Sequence, residues 1–191
     1  MSMFRTNATG MPSARVFAVG LIHSVAMVCA LDQAAAQDGP GLGVPATPAE
    51  IAAWDLSIGP TGDGLPEGSG DARQGAAVYA AKCVACHGVD GRGQPNDRLV
   101  GGHGSLASDS AVKTIGSYWP YATTVFDYVR RAMPFTQPQS LSNDEVYAVT
   151  AYLLYLNGVI DEDKAMDAGS LPNVVMPNRD GFILAYPQLG G

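Results

Sequence analysis

Cys83-Val84-Ala85-Cys86-His87 is a C-x-x-C-H pentapeptide, and the residues leading into it, Gly75 to Lys82, are alanine-rich and favour a helix. Two thiols spaced this way can add across the vinyl groups of haem, and the adjacent imidazole is then held beneath the iron. The stretch therefore reads as a covalent haem c attachment site, with Cys83 and Cys86 as thioether donors and His87 as the proximal ligand. A redox dithiol and half of a zinc site are the competing readings. The chain has three cysteines, and the third, Cys29, lies in the leader described below, so no second pair completes a zinc site. A thioredoxin-like dithiol follows a strand, whereas this motif follows a helix-forming run.

Residues 1–36 carry basic Arg5 and Arg15, an apolar run from Val16 to Leu31, and Ala34-Ala35-Ala36 before Gln37, which is the pattern of a cleaved secretory signal peptide. The run is short for a membrane span, so cleavage is favoured over an uncleaved anchor. The expected mature protein is periplasmic, without stable membrane insertion. Removing Arg5, Arg15 and Asp32 leaves 9 basic against 17 acidic side chains, a formal balance of −8. Such a surface excludes nucleic acid as an expected partner.

Residues 37–70 are dense in glycine and proline and read as an extended arm, with Ala46 to Trp54 capable of a short helix. From Asp71 a helix runs into the motif, and Gly91, Gly93, Gly101, Gly102 and Gly104 mark the long loop after it. Thr123 to Ala132 is the next helix, with an apolar stripe of Val125, Phe126 and Val129, and it ends at Met133-Pro134. Ser142-Asn143-Asp144-Glu145 has the form of a capping box opening a helix to about Leu156, with Asn157-Gly158 as its stop. Val146, Val149, Tyr152, Leu153 and Leu156 are its expected buried face. Residues 159–191 read as a second arm, able to pack on the domain or on a partner.

An electron-transfer haem takes a sixth ligand, and a thioether or a second imidazole supplies it. Met133, Met166, Met176 and His103 are the candidates. Met133 is preferred, since it precedes the capped helix and Pro134 stiffens its backbone. Met176, in a second Met-Pro pair, is the runner-up, and His103 reads as a surface histidine. The second ring nitrogen of His87 needs an acceptor, expected among the backbone carbonyls from Pro95 to Leu99. Tyr118, Trp119, Arg98, Arg130 and Arg131 are candidates for haem propionate contacts, with a solvated helix face as the plain alternative for the arginines.

A helix with Gly75 and Tyr79, the C-x-x-C-H motif, a glycine-rich loop, Met-Pro, and a capped helix carrying Ala151-Tyr152-Leu153 together resemble a class I cytochrome c over residues 71–158. The resemblance implies an all-α fold around one covalent haem, with extended N- and C-terminal arms at 37–70 and 159–191, and with its first and last helices crossing near Gly75. Asp97 stands where many members have the proline whose carbonyl meets the proximal histidine. A narrower resemblance, to the SoxD-type cytochrome subunits of sulfane and sulfite dehydrogenases, rests on the stretches 45–51, 113–124, 126–128, 131–134 and 176–182. Some relatives carry a second haem domain; this chain has one motif.

That resemblance implies a relay: a molybdenum-cofactor subunit withdraws electrons from a sulfur compound, and the single-haem cytochrome passes them to a downstream c-type cytochrome. The relay itself has no catalytic residues. Two other readings stand beside it, a freely diffusing electron carrier and a haem enzyme with a displaceable sixth ligand.

Overall fold

The computed structural model describes residues 42–183. Residues 1–36, the expected signal peptide with Cys29, lie outside the described residues, as do the outer ends of both expected arms. The chain divides at Thr47 into two units, and of the first the described residues, 42–47, are irregular and exposed.

The second unit begins with α1 (Pro48–Trp54), which buries none of its residues. After the two-residue strand β1 (Ser69–Gly70) comes α2 (Ala72–Lys82), then the one-turn α3 (Val84–His87), α4 (Ala122–Ala132), α5 (Asn143–Leu156) and the two-residue strand β2 (Met166–Asp167). Short 3-10 turns occupy Val89–Gly91 and Leu171–Asn173. The fold is all-α as expected, apart from the antiparallel pair that sets Ser69 opposite Asp167 and Gly70 opposite Met166. Among the described residues no helix is long and apolar enough to cross a membrane.

Both principal helices start on reciprocal caps. Ser142 accepts from the Glu145 amide while the Glu145 carboxylate accepts from the Ser142 amide, as its sequence suggested. Asp71 and Gln74 make the same exchange at the head of α2. Each cap satisfies backbone donors that a helix start leaves without partners.

On α2, Ala72, Gly75 and Tyr79 recur at spacings of three and four and are buried. They meet α5 at a close crossing: a Cβ on Gly75 would overlap the Ala148 carbonyl and stand 2.7 Å from Tyr152 Cβ. The glycine lets the two backbones touch, as the family resemblance implied. The expected stripe of α4 is buried, with Ala122 and Thr123 added.

α5 is buried more widely than its expected face. Val146, Val149 and Leu153 are inside and Tyr152 and Leu156 half-buried, but Tyr147, Ala148, Thr150, Ala151 and Leu154 are buried too. The reason is that other segments cover its remaining sides. From the N-terminal flank, Ile58 is buried with its amide bonded to Asp127 Oδ1 at 2.9 Å, and the Pro66 carbonyl accepts from the Tyr147 hydroxyl at 2.9 Å. From the C-terminal flank, Met166, Leu171, Val174 and Met176 enter the same core. Burying a side chain such as Leu171 or Met176 is worth about 1.5–3 kcal/mol, so residues 166–176 are a structural part of this unit.

Candidate functional site

The helix carrying Tyr79 breaks at Cys83, whose φ of −121° and ψ of −34° are not helical, and resumes for one turn through His87. Three amide bonds build that turn: Cys86 and His87 to the Cys83 carbonyl at 3.1 and 3.0 Å, and Gly88 to the Val84 carbonyl at 2.9 Å. Both cysteines are free thiols, Cys83 half-buried and Cys86 exposed. Burial, and secondarily the charge of Cys86, push the Cys83 thiol up to about 11.

His87 is held from several sides by the loop after it. Its Nδ1 donates to the Asp97 carbonyl at 2.9 Å, within the span expected from the sequence, which leaves Nε2 as the ring nitrogen open to a ligand. The His87 carbonyl accepts from Gly93 at 2.8 Å and the Cys86 carbonyl from Asn96 at 2.8 Å. Gly88, at φ 71°, lies against the Gly93 carbonyl so closely that a Cβ would collide with it. Only glycine suits both the left-handed backbone and the close approach.

Of the sulfur candidates, Met133 caps the C-terminal end of α4 in an extended conformation and is half-buried at the edge of the core. Met166 and Met176 are enclosed in the core, with 0% and 1% of their surface exposed, and His103 is exposed. Tyr118 is half-buried, with Phe182 packed edge-on at 5.2 Å and Lys113 Nζ 5.1 Å from its ring centre. Trp119 meets Tyr128 edge-on at 5.8 Å. Arg98 is exposed and Arg130 half-buried, while Arg131 forks onto both carboxylate oxygens of Asp127, one turn earlier. Cys83, Cys86 and His87 thus share one turn, Met133 and Trp119 stand on separate elements bordering the core, and Arg131 already has an anionic partner.

Asn157 is a connection that sequence reading reduced to a helix stop. It is buried, its Oδ1 accepts from Gly101 at 3.1 Å, and its Nδ2 donates to Leu99 at 3.2 Å and Leu153 at 2.8 Å. It ties the end of α5 to the loop that orients His87. The signal available was an Asn-Gly pair, which has the same form whether or not the amide reaches a distant loop.

Two thiols on one turn, an imidazole whose Nδ1 is engaged and whose Nε2 is not, and a thioether at the core edge are a donor set that fits covalent haem c. Known proteins agree. The family described as Cytochrome c matches residues 72–157. A chain in the crystal structure of the sulfane dehydrogenase SoxCD from Paracoccus pantotrophus superposes with a TM-score of 0.72 at 48% identity, covering 78% of this chain and 73% of that one. A thiosulfate dehydrogenase of Psychrobacter arcticus is 30% identical over 112 residues, 53% of this chain and 34% of that protein. Another, from Stutzerimonas stutzeri, is 29% identical over 113 residues, 52% and 35% of the two chains. The aligned segment thus spans about a third of each thiosulfate dehydrogenase. The C-x-x-C-H turn, the helix crossing at Gly75 and the extended match to a SoxCD chain make this protein a member of the cytochrome c family, a class I electron carrier of the SoxD type whose domain implies covalently bound haem c.

Proposed function

We propose that the chain is a periplasmic, single-haem relay subunit that docks to a molybdenum-cofactor sulfane or sulfite dehydrogenase subunit and hands electrons singly to a downstream c-type cytochrome. One observation carries this reading: the 48% identity extends over 78% of the chain, well beyond residues 72–157. Shared flanks of that length point to a shared assembly rather than to a shared cofactor alone. The exposed Ile51 and Trp54, three residues apart on α1, supply an apolar contact in the N-terminal flank.

The haem supplies the one-electron iron couple. Cys83 and Cys86 would hold it covalently, and His87 Nε2 and Met133 would supply its iron ligands. Met133 is favoured over Met176 because the Met176 sulfur is enclosed by the protein core, while Met133 borders it. The Asp97 carbonyl fixes the His87 tautomer and strengthens it as a donor. Tyr118, Trp119 and Arg98 are assigned to the propionates; Arg131 joins them only by sharing its guanidinium with Asp127.

The test is affinity purification of the tagged mature chain from its native host, with mass spectrometry of what accompanies it. A co-purifying molybdoenzyme, lost in the double variant Ile51→Ser/Trp54→Ser, supports the relay. A cytochrome that elutes alone indicates the freely diffusing carrier. The thiosulfate dehydrogenase relatives favour one further reading, direct turnover at a displaceable sixth position. Cyanide or carbon monoxide binding at neutral pH supports that reading, and a closed six-coordinate spectrum opposes it.

A further inference from the structure

We propose that the Tyr79 hydroxyl is a positioning group for the axial imidazole of His87, acting through the carbonyl of Gly88. The inference rests on His87 being the proximal ligand. Tyr79 is almost wholly buried, and its hydroxyl donates to the Gly88 carbonyl at 2.9 Å. Its ring is fixed by Tyr152, 5.4 Å away between centres, and its helix by the Gly75 crossing. The bond therefore runs from a buried, closely packed helix crossing to the residue immediately after His87.

Gly88 has little room to move. Its amide is bonded to Val84 and its Cα lies against the Gly93 carbonyl, while the Gly93 amide is bonded to the His87 carbonyl. Without the Tyr79 hydroxyl, the Gly88 carbonyl keeps only a long 3.4 Å contact from the Gly91 amide. The loop from Gly88 to Asp97 then loses its tether to α2, and this loop presents the Asp97 carbonyl to His87 Nδ1. Weakening that outer bond makes imidazole a poorer donor to iron, which stabilises the ferric form less.

Tyr147 provides a matched control. It too is a buried tyrosine whose hydroxyl donates to a loop carbonyl at 2.9 Å, but the acceptor is Pro66, remote in sequence from the motif. Burial pushes both phenols up to about 12, so both are protonated donors at neutral pH. Tyr79→Phe and Tyr147→Phe should both lower stability. Only Tyr79→Phe should shift the ferric-to-ferrous equilibrium toward the reduced form, by about threefold, or about 28 mV at 59 mV per tenfold for one electron. It should also displace the hyperfine-shifted His87 ring resonances and speed hydrogen exchange at the Gly93 amide.

If Tyr79→Phe loses stability while its potential, its His87 resonances and its Gly93 exchange match the wild type, the positioning role is refuted. If the wild-type ferric protein lacks hyperfine-shifted imidazole resonances, the failure belongs to the ligand assignment instead. Should Tyr79→Phe fail to mature, Tyr79→Leu, which has no donor and is smaller than the residue it replaces, serves as the second variant, and an unchanged potential in it also overturns the proposal.

Discussion

Gly75→Ala separates what a helix prefers from what this fold permits. By propensity alone the substitution stabilises α2 by about 1 kcal/mol, because alanine is the best helix former and glycine among the worst. The tertiary contact reverses the sign. The new methyl group would stand 2.5 Å from the Ala148 carbonyl carbon and 2.7 Å from Tyr152 Cβ. Ordinary carbon contacts lie near 3.5 Å, so the crossing must open by about 1 Å. Overpacking of this kind removes about 3 kcal/mol. Spreading the helices also weakens the Tyr79–Tyr152 ring contact, worth about 1 kcal/mol. The net expectation is a loss of about 3 kcal/mol, which for a domain of this size lowers Tm by about 10 °C. Guanidinium and thermal unfolding of the mature ferric protein measure it, with the exposed Ala77→Gly as the propensity control, expected to lose about 1 kcal/mol. A Gly75→Ala protein as stable as the wild type, or more so, would refute the close-crossing argument.

Met133→His should lower the reduction potential and abolish the ferric methionine-to-iron absorption band, because a second imidazole favours ferric iron more than a thioether does; redox titration and visible spectroscopy check both. Asn157→Ala should remove about 1–3 kcal/mol, since the Gly101 amide loses its partner in a half-buried setting while the Leu99 carbonyl keeps the Ile115 amide; chemical denaturation reads the loss. Asp167 accepts from the Ser170 amide and hydroxyl and from the Gly169 amide, which holds its carboxyl below the ordinary 3.8. A lowered carboxyl stabilises the fold above its unfolded value and ceases to do so as the pH falls through its folded value. Asp167→Asn should therefore flatten the stability profile below pH 3.8, measured by thermal unfolding across an acid pH series.

Much of the site was readable because its chemistry is local. Cys83, Cys86 and His87 fall on one turn, so their spacing in sequence is nearly their spacing in space. The Ser142–Glu145 cap and the Val125, Phe126 and Val129 stripe follow from hydrogen bonding and periodicity within a few residues. The Asp97 carbonyl, ten residues from His87, was confined to a short span because the loop leading to it is short. Arg131 shows the opposite case. Its charge marked it for an anion, but the anion it meets is Asp127 on its own helix, with Ile58 bonded to the same carboxylate from a distant segment.

By itself the sequence determined the C-x-x-C-H turn and the helices on either side of it, since each depends on spacing, propensity or capping over a few positions, while the crossing at Gly75 came from the family resemblance. Tertiary structure alone decided that residues 166–176 enter the core and enclose Met176, that Asn157 bridges α5 to the loop beneath His87, and that the Tyr79 hydroxyl lands on Gly88. Those outcomes depend on which distant surfaces meet and on which buried polar groups then find partners. A pattern read along the chain does not encode such meetings, because the same residues would satisfy it facing water.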